Sequence, residues 1–487
     1  MRIDWYQHYL HPEVIAIASE LYSHMPSKSQ GSNKESRDKK LKAVCLQFIS
    51  ALYLNHNSLG AHENPVTTYK TPKSFSSRTY NPEKINLPYN SFIEVFKKLI
   101  ELKWITEELG QKGKVVTKIN PTELLKEKFD KIGLAWAQQS MKSDEELILM
   151  RDVIKDENNK KVKQTVHLPE YDEKTLHLDN LKEINKALLN NCITLDLSDE
   201  DLAKVHLKDA DEYDGTHSFN KSLMITNIQL SRIFARGQVG LGGRFYRGWW
   251  QAIPSIHRPH IRINGYKTDE VDFSGIGIKI LYRMAGNTYN KEDPYNIGLY
   301  NWQGKADPRR KVVKKALNAL VNDIDGNYKL SDKEIEILGL NNKEFKEHVY
   351  EAHKPIAHLF QTDAGLKAQF IDSRIAESVM LKMIKQDSIA LPIHDSFIVR
   401  LRDRGMLLSA MKESCLEIIG LEINTTSEYI KTQMQFGLKK EEVIDLNKDI
   451  KAGIVRSSNT WKLLSKSPSI MDKYLSSFED FKAGGSF

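Results

Sequence analysis

Val271–Tyr282, VDFSGIGIKILY, holds one carboxylate, Asp272, where an apolar strand gives way to a helix. A lone aspartate there has two readings: a metal ligand, or a helix N-cap whose side-chain oxygen accepts from the first backbone N–H groups. A second acid far downstream favours the first. Ile389–Val399, IALPIHDSFIV, is apolar except for His394-Asp395-Ser396, which interrupts it as the tip of a β-hairpin would. Both acids then sit at strand ends, and a sheet brings such residues to one point from distant parts of the chain.

The 487 residues suffice for a sizeable core and two or three domains. With 40% hydrophobic and 28% charged residues, the composition is that of a soluble protein and excludes fibrous and collagen-like classes. Lys and Arg number 71 against 64 Asp and Glu, a net charge of +7 that permits a nucleic-acid partner without requiring one. Cys45, Cys192 and Cys415 are too scattered for a CxxC metal motif and too few for a disulfide framework. The opening MRIDWYQHYL lacks the basic run and apolar core of a signal peptide. No apolar run approaches the ~20 residues of a membrane span, so a cytoplasmic location and no membrane partner are expected.

Upstream, residues 26–40 are polar, basic and Ser-rich, as in a linker or exposed loop. Helical patterns follow at 41–54 and 89–102, the second with Phe92, Val95, Phe96, Leu99 and Ile100 on one face. Trp104–Thr106 and Val115–Ile119 then read as strands flanking the basic turn LGQKGK, in the order helix, strand, turn, strand of a winged helix. Either Lys112 and Lys114 form a wing on a nucleic-acid backbone, or the unit is an accessory packing domain. Residues 121–235 look helical and charged, a connector whose cleanest amphipathic piece is 178–191; Asp211, Glu212 and Asp214 read as an acidic turn.

The segment 241–254, LGGRFYRGWWQAIP, concentrates glycine, arginine and aromatic residues. Gly242 and Gly243 allow close backbone approach to a ligand, Arg244 and Arg247 suit phosphates or base edges, and Trp249 and Trp250 offer stacking surface. The other reading is an aromatic satellite core capped by arginines. Asp307-Pro308 opens a helix with an N-cap acid and a first-turn proline. On it Val313, Ala316, Leu317, Leu320 and Val321 form an apolar stripe, while Arg310, Lys314, Asn318 and Asn322 recur every fourth residue on another face. Like charges at i and i+4 repel, so that face is either solvated or turned to an anion such as a triphosphate. Residues 326–342 read as an exposed polar excursion, and 366–386 as a long helix leading into the strand before His394.

The Arg/aromatic loop, the DFSGI acid, the Arg-x3-Lys helix and HDS resemble, in that order, the palm and fingers of family A polymerases and single-subunit phage-type RNA polymerases. The resemblance spans about 233–399, under half the chain. It implies an α+β fold: a right-hand polymerase palm with reduced helical fingers (236–435), a helical connector or thumb (126–235), an N-terminal winged-helix-like domain (1–125) and a partly disordered helical tail (436–487). It also implies that Asp272 and Asp395, with the Phe273 carbonyl, hold two Mg²⁺ ions, Mn²⁺ being an alternative. Arg310 and Lys314 match the triphosphate-binding pair, with Asn318 and Asn322 further along the nucleotide-binding face. Arg244 matches an arginine that touches the primer or template strand, and Arg247, Trp249 and His394 are read with it as nucleic-acid contacts.

Departures from the family pattern qualify this. An aromatic is usual four residues after the lysine and a Tyr-Gly beyond it, where this chain has Asn318 and Asn322-Asp323. DNA-making members carry a Glu five residues after the first acid, which excludes the ribose 2′-hydroxyl; here it is Gly277. HDS also looks more like the RNA-making branch. No acid cluster resembling a proofreading exonuclease occurs in the first 230 residues. The expected activity is a Mg²⁺-dependent, template-directed nucleotidyltransferase, RNA-polymerase- or primase-like, with a template, a primer or product strand and nucleoside triphosphates as partners. A DNA polymerase without proofreading, a two-metal nuclease using Glu377 as third acid, and a silent nucleic-acid-binding protein are the alternatives.

Overall fold

The computed structural model describes residues 12–26, 34–56, 66–68, 70, 87–108, 117–132, 142, 144–155, 161–197, 228–289, 291, 293–301 and 307–427. The fold is mixed α+β. Among these residues two separate hydrophobic clusters form, one within 14–129 and a larger one within 147–423.

The first cluster is built by α1 (Pro12–Ser23), α2 (Lys34–His56), β1 (Val66–Thr68), α3 (Tyr89–Glu101), β2 (Ile105–Glu108), β3 (Thr117–Pro121) and α4 (Glu123–Ile132). α3 buries Phe92, Val95, Phe96 and Leu99, with the Phe92 ring 4.7 Å from Phe48 of α2. Lys103, left-handed at φ +57°, then turns the chain into β2. β3 lies between β1 and β2 and is antiparallel to both. One helix and two strands thus follow in the expected order, with β1 in addition, while the LGQKGK turn between the strands lies outside the described residues. Lys112 and Lys114 lie outside the described residues, as do Asp211, Glu212, Asp214 and the tail 436–487. Two expectations shift: α2 begins inside the stretch read as a loop, and the boundary at 125 runs through α4, whose Leu125 and Phe129 belong to this core.

The larger part opens with α5 (Asp144–Leu147), β4 (Ile148–Lys155), β5 (Lys161–Val166), α6 (Lys174–Leu189), β6 (Ile193–Leu195), β7 (Ser231–Ala235) and β8 (Gln238–Tyr246). Among its described residues, the connector read as helical therefore contains four strands. β5-β4-β7-β8 form one sheet, in which β4 and β7 are parallel. The β7–β8 hairpin turns on Arg236 and Gly237, both at positive φ, so the boundary at 235/236 cuts a hairpin.

β9 (Ile261–Ile263) and β10 (Tyr266–Phe273) follow, then α7 (Ile276–Met284), α8 (Pro308–Asn322), α9 (Asp332–Leu338), α10 (Asn342–Ala352) and α11 (Ala364–Ile384). The excursion at 326–342 is partly helical: Ser331 and Glu334 cap α9, Leu330 and Leu338 are buried, and Glu334 pairs with Lys315 of α8. The chain then makes β11 (Leu391–Ile393), β12 (Ser396–Arg400), α12 (Arg404–Ile419) and β13 (Thr425–Ser427).

In the six-stranded sheet β10 pairs with β12 on one edge, and with β9 and then β13 on the other. Buried Asp269 fixes this arrangement, accepting from Ser427 Oγ at 2.7 Å and pairing with Arg404 of α12 at 3.2 Å. The close approach that the sequence reserved for a ligand is made at Gly243 by the protein's own packing. A Cβ on Gly243 would stand 3.0 Å from Phe234 and 3.2 Å from Phe370 of α11, so the missing side chain lets β8 lie close against that helix.

Candidate active site

β11 and β12 are joined by a two-residue turn, His394-Asp395, with His394 at φ +56°. Asp272 of β10 is in register with Ser396 of β12 on one side and Thr426 of β13 on the other. The Phe273 N–H donates to the Asp395 carbonyl at 3.3 Å, so the turn sits against the end of β10. Asp272, Phe273 and Asp395 line one cavity of about 1600 Å³. The capping alternative for Asp272 falls away, because the N-cap of α7 is Gly275. Gly275 is held at φ +67°, and a Cβ there would meet Pro294 Cγ at 2.5 Å.

α8 starts as its sequence requires. Asp307 accepts from the Arg309 N–H at 2.9 Å and Pro308 occupies the first turn. Val313, Ala316, Leu317, Leu320 and Val321 are buried, which turns Arg310 and Lys314 to the cavity wall. Asn318 and Asn322, expected on the same face, are exposed and do not line the cavity; Asn322 Nδ2 donates to the Asn318 carbonyl at 2.8 Å. The helix extends past the cavity before that row reaches it.

Two residues the sequence reading passed over complete this wall. Asp293 binds Arg310 with both oxygens, at 2.6 and 3.0 Å. The Tyr295 ring lies under both cations, 5.0 Å from the Arg310 guanidinium and 5.6 Å from Lys314 Nζ. Burial above all, then the charge of Asp395, raises the Tyr295 phenol above its ordinary range; Arg310 opposes, and Asp272 and Asp293 add. An aromatic thus stands beside the acids although α8 lacks one at 318. The available signal was the run Asp293-Pro294-Tyr295, an acid, a rigid turn residue and an aromatic together.

The remaining expected residues are placed as follows. Gly277 is exposed in the first turn of α7, with nothing within 4 Å of where a Cβ would stand, and it is not on the cavity wall. Arg244 is half-buried and engaged by Asp372 of α11, its Nε 2.8 Å from Oδ2. Arg247 is half-buried with left-handed backbone at φ +83°. His394 packs against Tyr246, ring centroids 5.4 Å apart, and burial first, then the charge of Arg244, lowers its pKa. Trp249 is a correction: at 3% exposure it is core, T-shaped against fully buried Trp250, whose Nε1 donates to the Pro392 carbonyl at 3.1 Å. Neither indole offers a face to a base. Glu377, the nuclease reading's third acid, is paired with buried Arg232 at 3.2 Å and is not on the cavity wall.

The donors suit a hard divalent cation. Two carboxylates and the main chain at Phe273 supply oxygen only, and no His or Cys is among the cavity's described lining residues. Among the described residues no three His, Cys, Asp or Glu side chains gather for a metal. Mg²⁺ characteristically takes one or two carboxylates and completes its shell with water and substrate phosphate. The same lining carries four carboxylates, Asp272, Asp293, Asp395 and Glu422, against four cations, Lys291, Arg310, Lys314 and Lys412. A polyphosphate would upset that balance by its own charge, which cations held at Asp272 and Asp395 would offset.

No helix among the described residues is long and apolar enough to cross a membrane. No protein-family model matches the chain, and no curated protein does. Among solved structures it is similar to the POL domain of Pol1 from M. smegmatis in complex with DNA primer-template and dNTP, at 10% identity and a TM-score of 0.30. That likeness covers 85% of this chain and 65% of the other, under two thirds of that domain's length. At that TM-score it carries no argument, and the reading of the site rests on its own geometry.

Proposed function

We propose that the chain is a divalent-metal-dependent nucleotidyltransferase that adds nucleotides to a nucleic-acid strand on a template and accepts ribonucleotides. The observation that supports this reading is the meeting of Asp272 and Asp395 at the ends of paired strands, in a cavity that Arg310 and Lys314 also line. In the reaction proposed, a strand's 3′-hydroxyl oxygen bonds to the α-phosphorus of a bound triphosphate. The bond to the bridging oxygen breaks, pyrophosphate leaves with the electron pair, and the hydroxyl proton is lost to water. Arg310 and Lys314 bind the triphosphate, Arg310 sharing its guanidinium between phosphate and Asp293, and the Tyr295 ring supports both cations from below. Asp272 and Asp395, with Phe273, would hold Mg²⁺, which supplies Lewis-acid stabilisation of the attacking and leaving oxygens.

Gly277 stands where, by the resemblance, DNA-making relatives carry a side chain that bars a 2′-hydroxyl; it lies off the cavity wall with open space around it, and this reading has ribonucleotides accepted and deoxynucleotides not excluded. The experiment is incubation with Mg²⁺ and primed or unprimed DNA and RNA templates, with ribo- and deoxynucleotides supplied separately. Incorporation that disappears in Asp395→Ala, with an unchanged far-UV spectrum, supports the reading. Degradation of labelled strand in the absence of nucleotides would instead select a nuclease, and tight binding without turnover a silent binder.

A further inference from the structure

Asp372 has no task in the reaction as described, yet its surroundings are specific. Its side chain is 3% exposed on α11, a place where a carboxylate forfeits its hydration. Arg244 of β8 compensates: Nε donates to Asp372 Oδ2 at 2.8 Å and Nη2 lies 2.7 Å from the same oxygen. Both contacts fall on one edge of the guanidinium, so its remaining edge is held in a fixed direction. The charge of Asp395 acts on both Arg244 and Asp372, and that of Arg244 on His394. Tyr246, two residues along the same face of β8, carries the His394 ring. The pair therefore belongs to the surroundings of Asp395, although neither member lines the cavity wall that carries Arg310. A buried ion pair is a poor way to gain stability, since an apolar pair of similar volume does as well or better. Its distinctive effect is to hold one long side chain in one rotamer.

We propose that Asp372 is a positioning residue for the strand being extended: it locks Arg244 so that the free edge of the guanidinium stands beside Asp395 and meets the strand's terminal nucleotide. The proposal rests on the nucleotidyl-transfer reading. It divides the labour of the site, with strand-end placement by Arg244 and Asp372 and nucleotide binding by Arg310 and Lys314.

The full-length chain with Asp372→Asn, Arg244→Lys and the two combined tests this. The readouts are the Kd of a fluorescent primer-template by anisotropy, the KM for nucleotide, and the melting temperature. Each single substitution weakens strand binding about tenfold, the effect of one charge-assisted hydrogen bond, and leaves the nucleotide KM within about twofold. The double variant is no weaker than the single ones, because Asp372 acts only through Arg244. Wild-type strand affinity in Asp372→Asn alongside weakened Arg244→Lys overturns the proposal. So does a loss of strand and nucleotide binding together in step with melting temperature, which marks a purely structural pair. Arg244→Lys keeps the test open if Asp372→Asn fails to fold, because it predicts the same selective loss. If no form of the protein incorporates nucleotide, the functional reading fails, while the anisotropy series still decides whether Asp372 sets strand binding.

Discussion

Gly275→Ala tests how the fold sets the chemistry, because this glycine touches no substrate in the account above. Two costs follow from its geometry. An alanine at φ +67° pays about 1–2 kcal/mol for the left-handed backbone. Its Cβ would also stand 2.5 Å from Pro294 Cγ and 3.2 Å from Cδ. Ordinary carbon contacts are about 3.5–4.0 Å, so Pro294 must retreat by about 1 Å. Pro294 lies between Asp293, which grips Arg310, and Tyr295, whose ring supports Arg310 and Lys314. A misplacement of about 1 Å at a positioning group is worth roughly 100-fold in rate. The expected result is a folded protein, destabilised by about 2–5 kcal/mol once the backbone cost and the overpacking against Pro294 are taken together, whose kcat/KM for nucleotide falls roughly 100-fold with strand affinity unchanged. Single-nucleotide incorporation kinetics, anisotropy and denaturant titration measure the three quantities. Wild-type kinetics in a folded Gly275→Ala protein would refute the coupling of Pro294 to the cations.

Gly277→Glu places a carboxylate in the first turn of α7; it should shift preference from ribo- to deoxynucleotides by about 10–200-fold, read as a ratio of kcat/KM values. Arg244→Ala strands the Asp372 carboxylate in the interior and should cost about 3–5 kcal/mol, most of it recovered in an Arg244→Met, Asp372→Leu pair; denaturant midpoints check both. Burial lowers His353 from 6.5 to about 4 and His177 to about 3. Both pKa values are depressed in the folded state, so the stability due to neutral imidazoles is present above pH 6.5 and lost as pH falls through these values. His353→Phe should flatten the acid limb between pH 6.5 and 4, measured by urea titration at fixed pH. Asp372 has the opposite sign. Burial raises it to about 7 from 3.8, so its contribution is full below pH 3.8 and lost as pH rises through 7.

What the sequence made legible was local. The Asp307-Pro308 start of α8 and the apolar face of α3 follow from neighbouring residues alone, and the turn at His394-Asp395 from a polar break in an apolar run. That both acids end paired strands could be inferred because strand ends converge wherever strands pair. Connections made through space had no such signature. Asp293 on Arg310 and Asp372 on Arg244 join residues whose separate positions predict no contact. β4 and β7 escaped notice because each buries a short apolar run, Ile148–Met150 and Ile233–Phe234, that has no strand-specific period, and their parallel pairing is long-range. Trp249 and Trp250 were misread because a cluster of arginines and aromatics has the same composition whether the rings face inward or outward. Gly243 was misread likewise, since a close approach needs a glycine whether the neighbour is a ligand or a helix.

The central claim, that Asp272 and Asp395 grip the same divalent ions beside a bound triphosphate, is tested most directly by Mn²⁺ titration followed by electron paramagnetic resonance. The titration is run with a non-hydrolysable nucleoside triphosphate on the wild type, Asp272→Asn and Asp395→Asn. Loss of tight Mn²⁺ binding in each single variant is the predicted result. Wild-type Mn²⁺ binding retained by either variant would contradict it.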